Sequence, residues 1–207
     1  PTNLPDCTDL TTAFYAVGSA SSELIGATIA QRGKFPQLTT SNKLTTVQNI
    51  FFLSYLSGFY AGGVATNPPK PFTDTSEVIN WSGAFYGCQL TDIDIDTSAG
   101  TNFKLAFYGG KWAKFPGINL SKAKSLEATW KDCGLFTGFT STPNTSNVTN
   151  WKECFRNCSR LDETNYNNGL SFASADDTSD MFSNTGFVNF PAINLGPTTT
   201  LSGTFAE

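Results

Sequence analysis

The chain has 207 residues, 39% of them hydrophobic and 14% charged, with a formal net charge of −4. That balance excludes a basic footprint for nucleic acid or an anionic membrane surface, and no run of 18 apolar residues is present to insert into a membrane. There is no histidine, so the usual general base and the Ser-His and Cys-His arrangements are absent too.

In chain order, one short box returns eight times: AFYAV at Ala13, IFFLS at Ile50, AFYGC at Ala84, AFYGG at Ala106, TWKDC at Thr129, CFRNC at Cys154, MFSNT at Met181 and TFAE at Thr204. Its aromatics, Phe14, Phe51, Phe85, Phe107, Trp130, Phe155, Phe182 and Phe205, are spaced by 37, 34, 22, 23, 25, 27 and 23 residues. A period near 23 residues, stretched by insertions, predicts a stacked solenoid. The expectation is one domain over 1–207, read as an excerpt of a longer chain with incomplete repeats at both ends.

Five positions before the aromatic stand Asp9, Thr46, Asn80, Asn102, Ser125, Asn150, Asp177 and Thr200, all helix N-cap types. One position later an apolar residue recurs in all copies but one. Two positions after the aromatic come Gly87, Gly109, Asp132, Asn157 and Asn184, which tolerate the left-handed conformation that ends a helix. The spacing predicts a capped helix of about six residues per copy, roughly 9 Å long and held by its neighbours. Beyond it, an apolar residue five after the aromatic (Leu56, Leu90, Trp112, Leu135, Phe187) precedes one extended unit, clearest in FPGINL at Phe115 and FPAINL at Phe190. One strand per copy implies a parallel sheet with copies about 4.8 Å apart.

Expansions fall at about Gly18 to Lys34, Tyr60 to Lys70 and Asp162 to Gly169. Insertions at one point of a repeat emerge on one edge, often the binding edge; tolerated loop drift is the alternative. A second candidate surface is the column after the aromatic, Tyr15, Phe52, Tyr86 and Tyr108, either an exposed ladder or a cover over the core. The candidate binding residues are Tyr60, Asn67, Lys70, Tyr86, Tyr108, Asn165, Tyr166 and Asn167.

Cys88, Cys133 and Cys158 share one repeat column and, with Cys7 and Cys154, make an odd count without a CxxC pair. Small buried side chains account for the column, and no zinc site is expected. Asp92, Asp94 and Asp96 alternate with Ile93 and Ile95, placing three carboxylates on one face, read as solvated in preference to calcium-binding. N-x-S/T triplets at Asn80, Asn119, Asn144, Asn147 and Asn157 matter only where a host glycosylates. Carboxylates for glycoside cleavage are present in Asp92, Asp94, Asp176, Asp177 and Asp180, yet nothing sets their separation, and the chain is read as no enzyme.

The boxes AFYGC, TWKDC and CFRNC, with segments such as FPGINLSKAKSLEATW, resemble BspA-type leucine-rich repeats. They are closer still to the F-P-x-I repeats of marine cyanobacterial virus virion proteins. The resemblance covers essentially the whole chain and departs from the pattern where Pro is lost after Ile93, Phe139 and Phe172. It implies an α/β repeat fold, a leucine-rich-repeat-like right-handed solenoid, and a non-catalytic module of a phage fibre or surface adhesin on the virion or extracellular surface. It implies no cofactor. The implied partners are host-surface glycan or protein and other virion proteins, with homo-oligomerisation allowed. A structural spacer and a polysaccharide depolymerase are the alternatives.

Overall fold

The computed structural model describes residues 3–15, 34–53, 58–61, 64–65, 67–166, 169–196 and 200–206. Most of the first expected insertion lies outside the described residues. Parallel bridges join Asp9 to Thr46, Thr46 to Asn80, Asn80 to Asn102, Asn102 to Ser125, Ser125 to Asn150, Asn150 to Asp177, and Asp177 to Thr200. These are the residues five before each aromatic. The chain therefore winds in coils laid on one another in parallel register, numbered one to eight here by their aromatics.

The box itself is not the expected helix: among the described residues it is a run of turns. Coil 4 accounts for every backbone donor. The amides of Phe103, Leu105, Phe107 and Gly109 donate to the carbonyls of Ser125, Glu127, Thr129 and Lys131 in the next coil, at 3.0, 2.9, 3.0 and 2.9 Å. The amides between them close tight turns, Ala106 to the Phe103 carbonyl, Tyr108 to Leu105 and Gly110 to Phe107. The remaining Lys104 amide goes to the Asn102 side-chain oxygen at 3.1 Å. With alternate donors committed to the neighbouring coil, none is left for a carbonyl four residues back, and a helix cannot propagate.

The cap-type residues do accept a backbone N–H, but in Asx and ST turns to the residue two ahead. Asp9 receives Thr11 at 2.7 Å, Asn80 receives Ser82 at 3.1 Å, Asn150 receives Lys152 at 3.0 Å and Asp177 receives Ser179 at 2.9 Å. A second series does the same eleven residues before the aromatic, where Asp74, Asp96, Asn119, Asn144 and Asn194 accept from Ser76, Ser98, Ser121, Ser146 and Gly196. Three of the N-x-S triplets, at Asn80, Asn119 and Asn144, are thus turn chemistry.

Positive φ recurs two residues before the aromatic, as at Asn49, Gly83, Leu105 and Ala128, and two after it, as at Gly87, Gly109, Asp132 and Asn157. Each is the third residue of a turn, where a type II turn requires the left-handed region. A Cβ on Gly109 would meet nothing within 4 Å, whereas one on Gly83 would strike the Asn49 amide and the Phe52 ring. Gly109→Ala is therefore expected to cost about 1 kcal/mol from backbone conformation alone. Gly83→Ala should cost more, and denaturant unfolding of the two variants reads the steric share as the difference.

The box aromatics form the core. Phe51, Phe85, Phe107, Trp130, Phe155 and Phe182 are buried, and successive centroids from Phe51 to Phe182 lie 5.7, 5.9, 5.9, 5.8 and 5.5 Å apart. Stacked and offset rings at that spacing fill the interior while each coil contacts only its neighbours. Leu90 and Trp112 of the plus-five column are buried, but Leu135 is exposed and Phe136 takes its place inside.

Cys88, Cys133 and Cys158 are buried, and their thiols donate to the carbonyls of Phe51, Phe107 and Trp130 in the preceding coil. Burial pushes the Cys133 thiol up to about 12 and raises those of Cys88, Cys154 and Cys158 as well. A thiol reagent at pH 8 is expected to modify the half-buried Cys7 in the folded chain and to leave the other four unreacted until denaturant is added. Because the folded chain keeps protons that the unfolded chain releases, stability should be full below about pH 9 and fall as pH rises toward the Cys133 value.

On another side of the coils, threonine hydroxyls replace the backbone ladder. Thr75 donates to the Asp96 carbonyl and accepts its amide, at 2.8 and 3.0 Å. Thr97 does the same to Asn119 at 2.8 and 3.0 Å, and Thr145 to Ser171 at 3.0 and 2.8 Å. Thr40 clasps Asp74 in the same way.

Candidate functional site

Among the described residues, two grooves open between coils, each beside an inserted segment. In coil 3, β2 (Gly58–Ala61) lies parallel to β1 (Lys34–Pro36), with Phe59 opposite Phe35. The chain then turns back through β3 (Val64–Ala65), antiparallel on the outer edge of β2, so β1-β2-β3 is the sheet order. It rejoins its lane at Phe72, which bridges Leu38. With β3 on the outer edge, coil 4 cannot pair with β2, and the returning arm instead accepts the Asp94 amide at the Pro69 carbonyl, 2.8 Å.

The gap left there, about 180 Å³, is lined by Lys70, residues 72–75 and residues 94–96. Its charged groups are engaged. Lys70 lies 3.6 Å from Asp94, with both side chains near half exposed, so this pair contributes little stability. Asp74 accepts the Ser76 amide and hydroxyl, which hold its carboxyl below the usual range. Asp96 accepts the Ser98 amide, and Asp92 that of Ile93. The three alternating aspartates thus go to separate partners, and among the described residues no cluster fit to hold a metal ion occurs.

The second groove, about 310 Å³, lies between residues 169–173 of coil 7 and 192–194 of coil 8. It occupies the same level of the repeat, thirteen to nine residues before the aromatic. Its cause is local. Where coils 3, 4 and 6 carry the clasping Thr75, Thr97 and Thr145, coil 7 carries Phe172, which has no hydroxyl to offer Asn194. Coil 5 also lacks the threonine at Leu120, but there Phe115 bridges Phe139 directly. Among the described residues, the step from coil 7 to coil 8 has neither device on this side.

The expected binding residues scatter. Asn67 is exposed in the returning arm and Lys70 lines the smaller groove. Tyr60 lies in β2, its backbone opposite Pro36 and Ala65. Asn167 lies outside the described residues. Asn165 is turned inward on its own loop, receiving the Asp162 amide and donating to the Arg160 carbonyl at 3.0 and 2.8 Å. Tyr166 is a core residue, packed edge-on against Phe182 and Phe187, with its hydroxyl buried and unpartnered. An aromatic in an Asn-rich insertion reads from sequence as a surface anchor; here the insertion folds back and seals the core.

Tyr15, Phe52, Tyr86 and Tyr108 do form a ladder, with centroids 5.2, 4.1 and 4.3 Å apart. Tyr15 is 51% exposed and the other three are half-buried. Interplanar angles of 9, 18 and 6° mean that the ring faces cover one another. Within the row the faces of Phe52 and Tyr86 are covered on both sides, which removes the stacking of sugar rings there. At its end the Tyr108 hydroxyl bonds the Asp132 carboxylate, which raises the phenol's pKa. Asp132 in turn accepts the Asn157 amide, and Asn157 that of Asn184.

Ile193 and Asn194 of the larger groove fall in the repeated FPAINL unit, which marks the fold and not a site, and Ser171 carries no motif. The one signal for them is the missing threonine at Phe172, visible only when the repeats are aligned on the clasp column. No family model matches the chain, and neither a curated protein nor a solved structure matches it. Among the described residues no helix is long and apolar enough to cross a membrane.

Proposed function

We propose that the stack of coils is a leucine-rich-repeat-like right-handed solenoid serving as a non-catalytic recognition module of a virion fibre or surface adhesin, in contact with host-surface glycan. The observation that carries the reading is that two separate insertions each lie beside a groove at the same level of the repeat. Loop drift alone would place insertions without regard to cavities. Stacked coils provide the stiff scaffold on which such grooves keep their shape, which lowers the ordering cost of binding.

An array of bacterial surface polysaccharides probed with the full chain tests this. Retention on a subset of glycans is the expected result. Uniform absence of binding would favour the spacer reading, and loss of polymer viscosity on incubation would favour a depolymerase.

A further inference from the structure

We infer that the groove between residues 169–173 and 192–194 is the glycan subsite, and that it takes one neutral sugar unit. The inference rests on the recognition-module reading and narrows it to a place and a ligand chemistry. At about 310 Å³ the groove stands at the low end of the range for small-molecule sites, enough for a single ring.

None of its lining residues is charged, whereas the smaller groove holds Lys70 and three aspartates. Burying part of a carboxylated or aminated ligand against uncharged walls would carry a large uncompensated desolvation cost; the hydroxyls of a neutral polyol carry a smaller one, which hydrogen bonds to neutral groups offset. The walls also offer what hydroxyls need. Because the clasp is missing at Phe172, the Asn194 amide finds no acceptor among the described residues, while the matching Asp96, Asn119 and Ser171 amides are all taken by threonine. The Asn194 side-chain oxygen is held by the Gly196 amide at 2.9 Å, which orients the amide group and leaves its NH2 as a fixed donor. Ser171 Oγ accepts the Ala173 amide at 3.5 Å and keeps its proton to give. Below these groups Phe172 and Leu170 are buried and Ile193 is half-buried, an apolar floor under a ring's C–H face.

The test is a titration of the isotope-labelled full chain with glucose, galactose and N-acetylglucosamine, followed by amide chemical shifts. Shifts centred on residues 171–173 and 192–194 are expected for at least one neutral sugar, and not for glucuronate. Ala192→Phe, which fills the groove from an exposed position, should weaken that binding at least about tenfold, equivalent to about 1.4 kcal/mol. Asn194→Asp keeps the turn acceptor and replaces the NH2 donor with a charge; it should weaken binding similarly while leaving the rest of the spectrum in place.

No shift with any neutral sugar, or shifts that survive both variants, would overturn the assignment. Running the same variants on the polysaccharide array separates the two readings. Array binding that neither variant reduces leaves the recognition module standing and removes this groove. A silent array with no sugar-induced shift removes both.

Discussion

Replacing Trp130 by alanine is expected to destabilise the chain by about 3–5 kcal/mol, the range for emptying a large buried aromatic site. Trp130 has no exposed surface, and its ring packs against Phe107, Phe115, Phe136, Phe139 and Phe155 at 5.9, 5.5, 5.9, 5.1 and 5.8 Å. These rings come from the coils on both sides, so little can collapse into the space without moving a neighbour.

The consequence extends beyond the free energy. In a stack where each coil touches only the next, coil 5 couples coils 1–4 to coils 6–8. Urea unfolding of Trp130→Ala should therefore lose cooperativity, with a smaller denaturant dependence or two resolved phases. Trp130→Phe is the useful comparison, because the Trp130 Nε1 is buried without a partner and its loss removes a desolvation penalty. A Trp130→Ala loss below about 1.5 kcal/mol with a single sharp transition would contradict the account of the ring column as the core.

Thr145→Val is expected to cost about 2–4 kcal/mol although it changes almost no volume. Thr145 is 1% exposed, and its hydroxyl donates to the Ser171 carbonyl at 3.0 Å and accepts the Ser171 amide at 2.8 Å. Valine strands both backbone groups between coils, each at the price of an unmade buried hydrogen bond, about 1–3 kcal/mol. Thr137→Val is the control, since that hydroxyl bonds the Ala113 carbonyl at 2.9 Å in an exposed setting and should cost well under about 1 kcal/mol. Equal effects at the two sites in thermal unfolding would show that the clasp adds nothing to ordinary threonine packing. Hydrogen exchange offers a second readout: the Ser171 amide should lose protection in Thr145→Val, while the Trp151 amide, bonded to Asp177 at 2.8 Å, keeps it.

Much of the architecture is legible in single residues. The aromatic spacing marks the residues that stack as Phe51, Phe85, Phe107 and Trp130, and the polar residue five positions earlier marks those that bridge from Asp9 to Thr200. Cap chemistry and Asx-turn chemistry draw on the same side chains, since both need a short oxygen acceptor for an N–H two residues on. Asn102 therefore fits either a helix start or a turn, and its identity cannot choose between them.

The candidate site was less legible for a different reason. Tyr166 and Asn165 have the composition of a contact loop, but whether such a loop faces out depends on a vacancy beneath it, and here Phe182 and Phe187 leave one that Tyr166 fills. The larger groove exists because the step from coil 7 to coil 8 has, among the described residues, neither a threonine clasp nor a direct bridge on that side, which is a property of two adjacent coils and not of any segment.

The sequence by itself determined the period, the aromatic column, the turn-forming polar columns and the places where the chain departs from them, because each follows from a residue's own side chain or backbone preference. Only the tertiary structure decided that the box is a run of turns, that Tyr166 belongs to the core and that grooves open beside the two insertions. The physical reason is that every second amide of the box finds its acceptor in the next coil. Where a backbone donor is satisfied by a neighbour and not by its own segment, local propensity loses its vote, and the neighbour's carbonyls set the conformation.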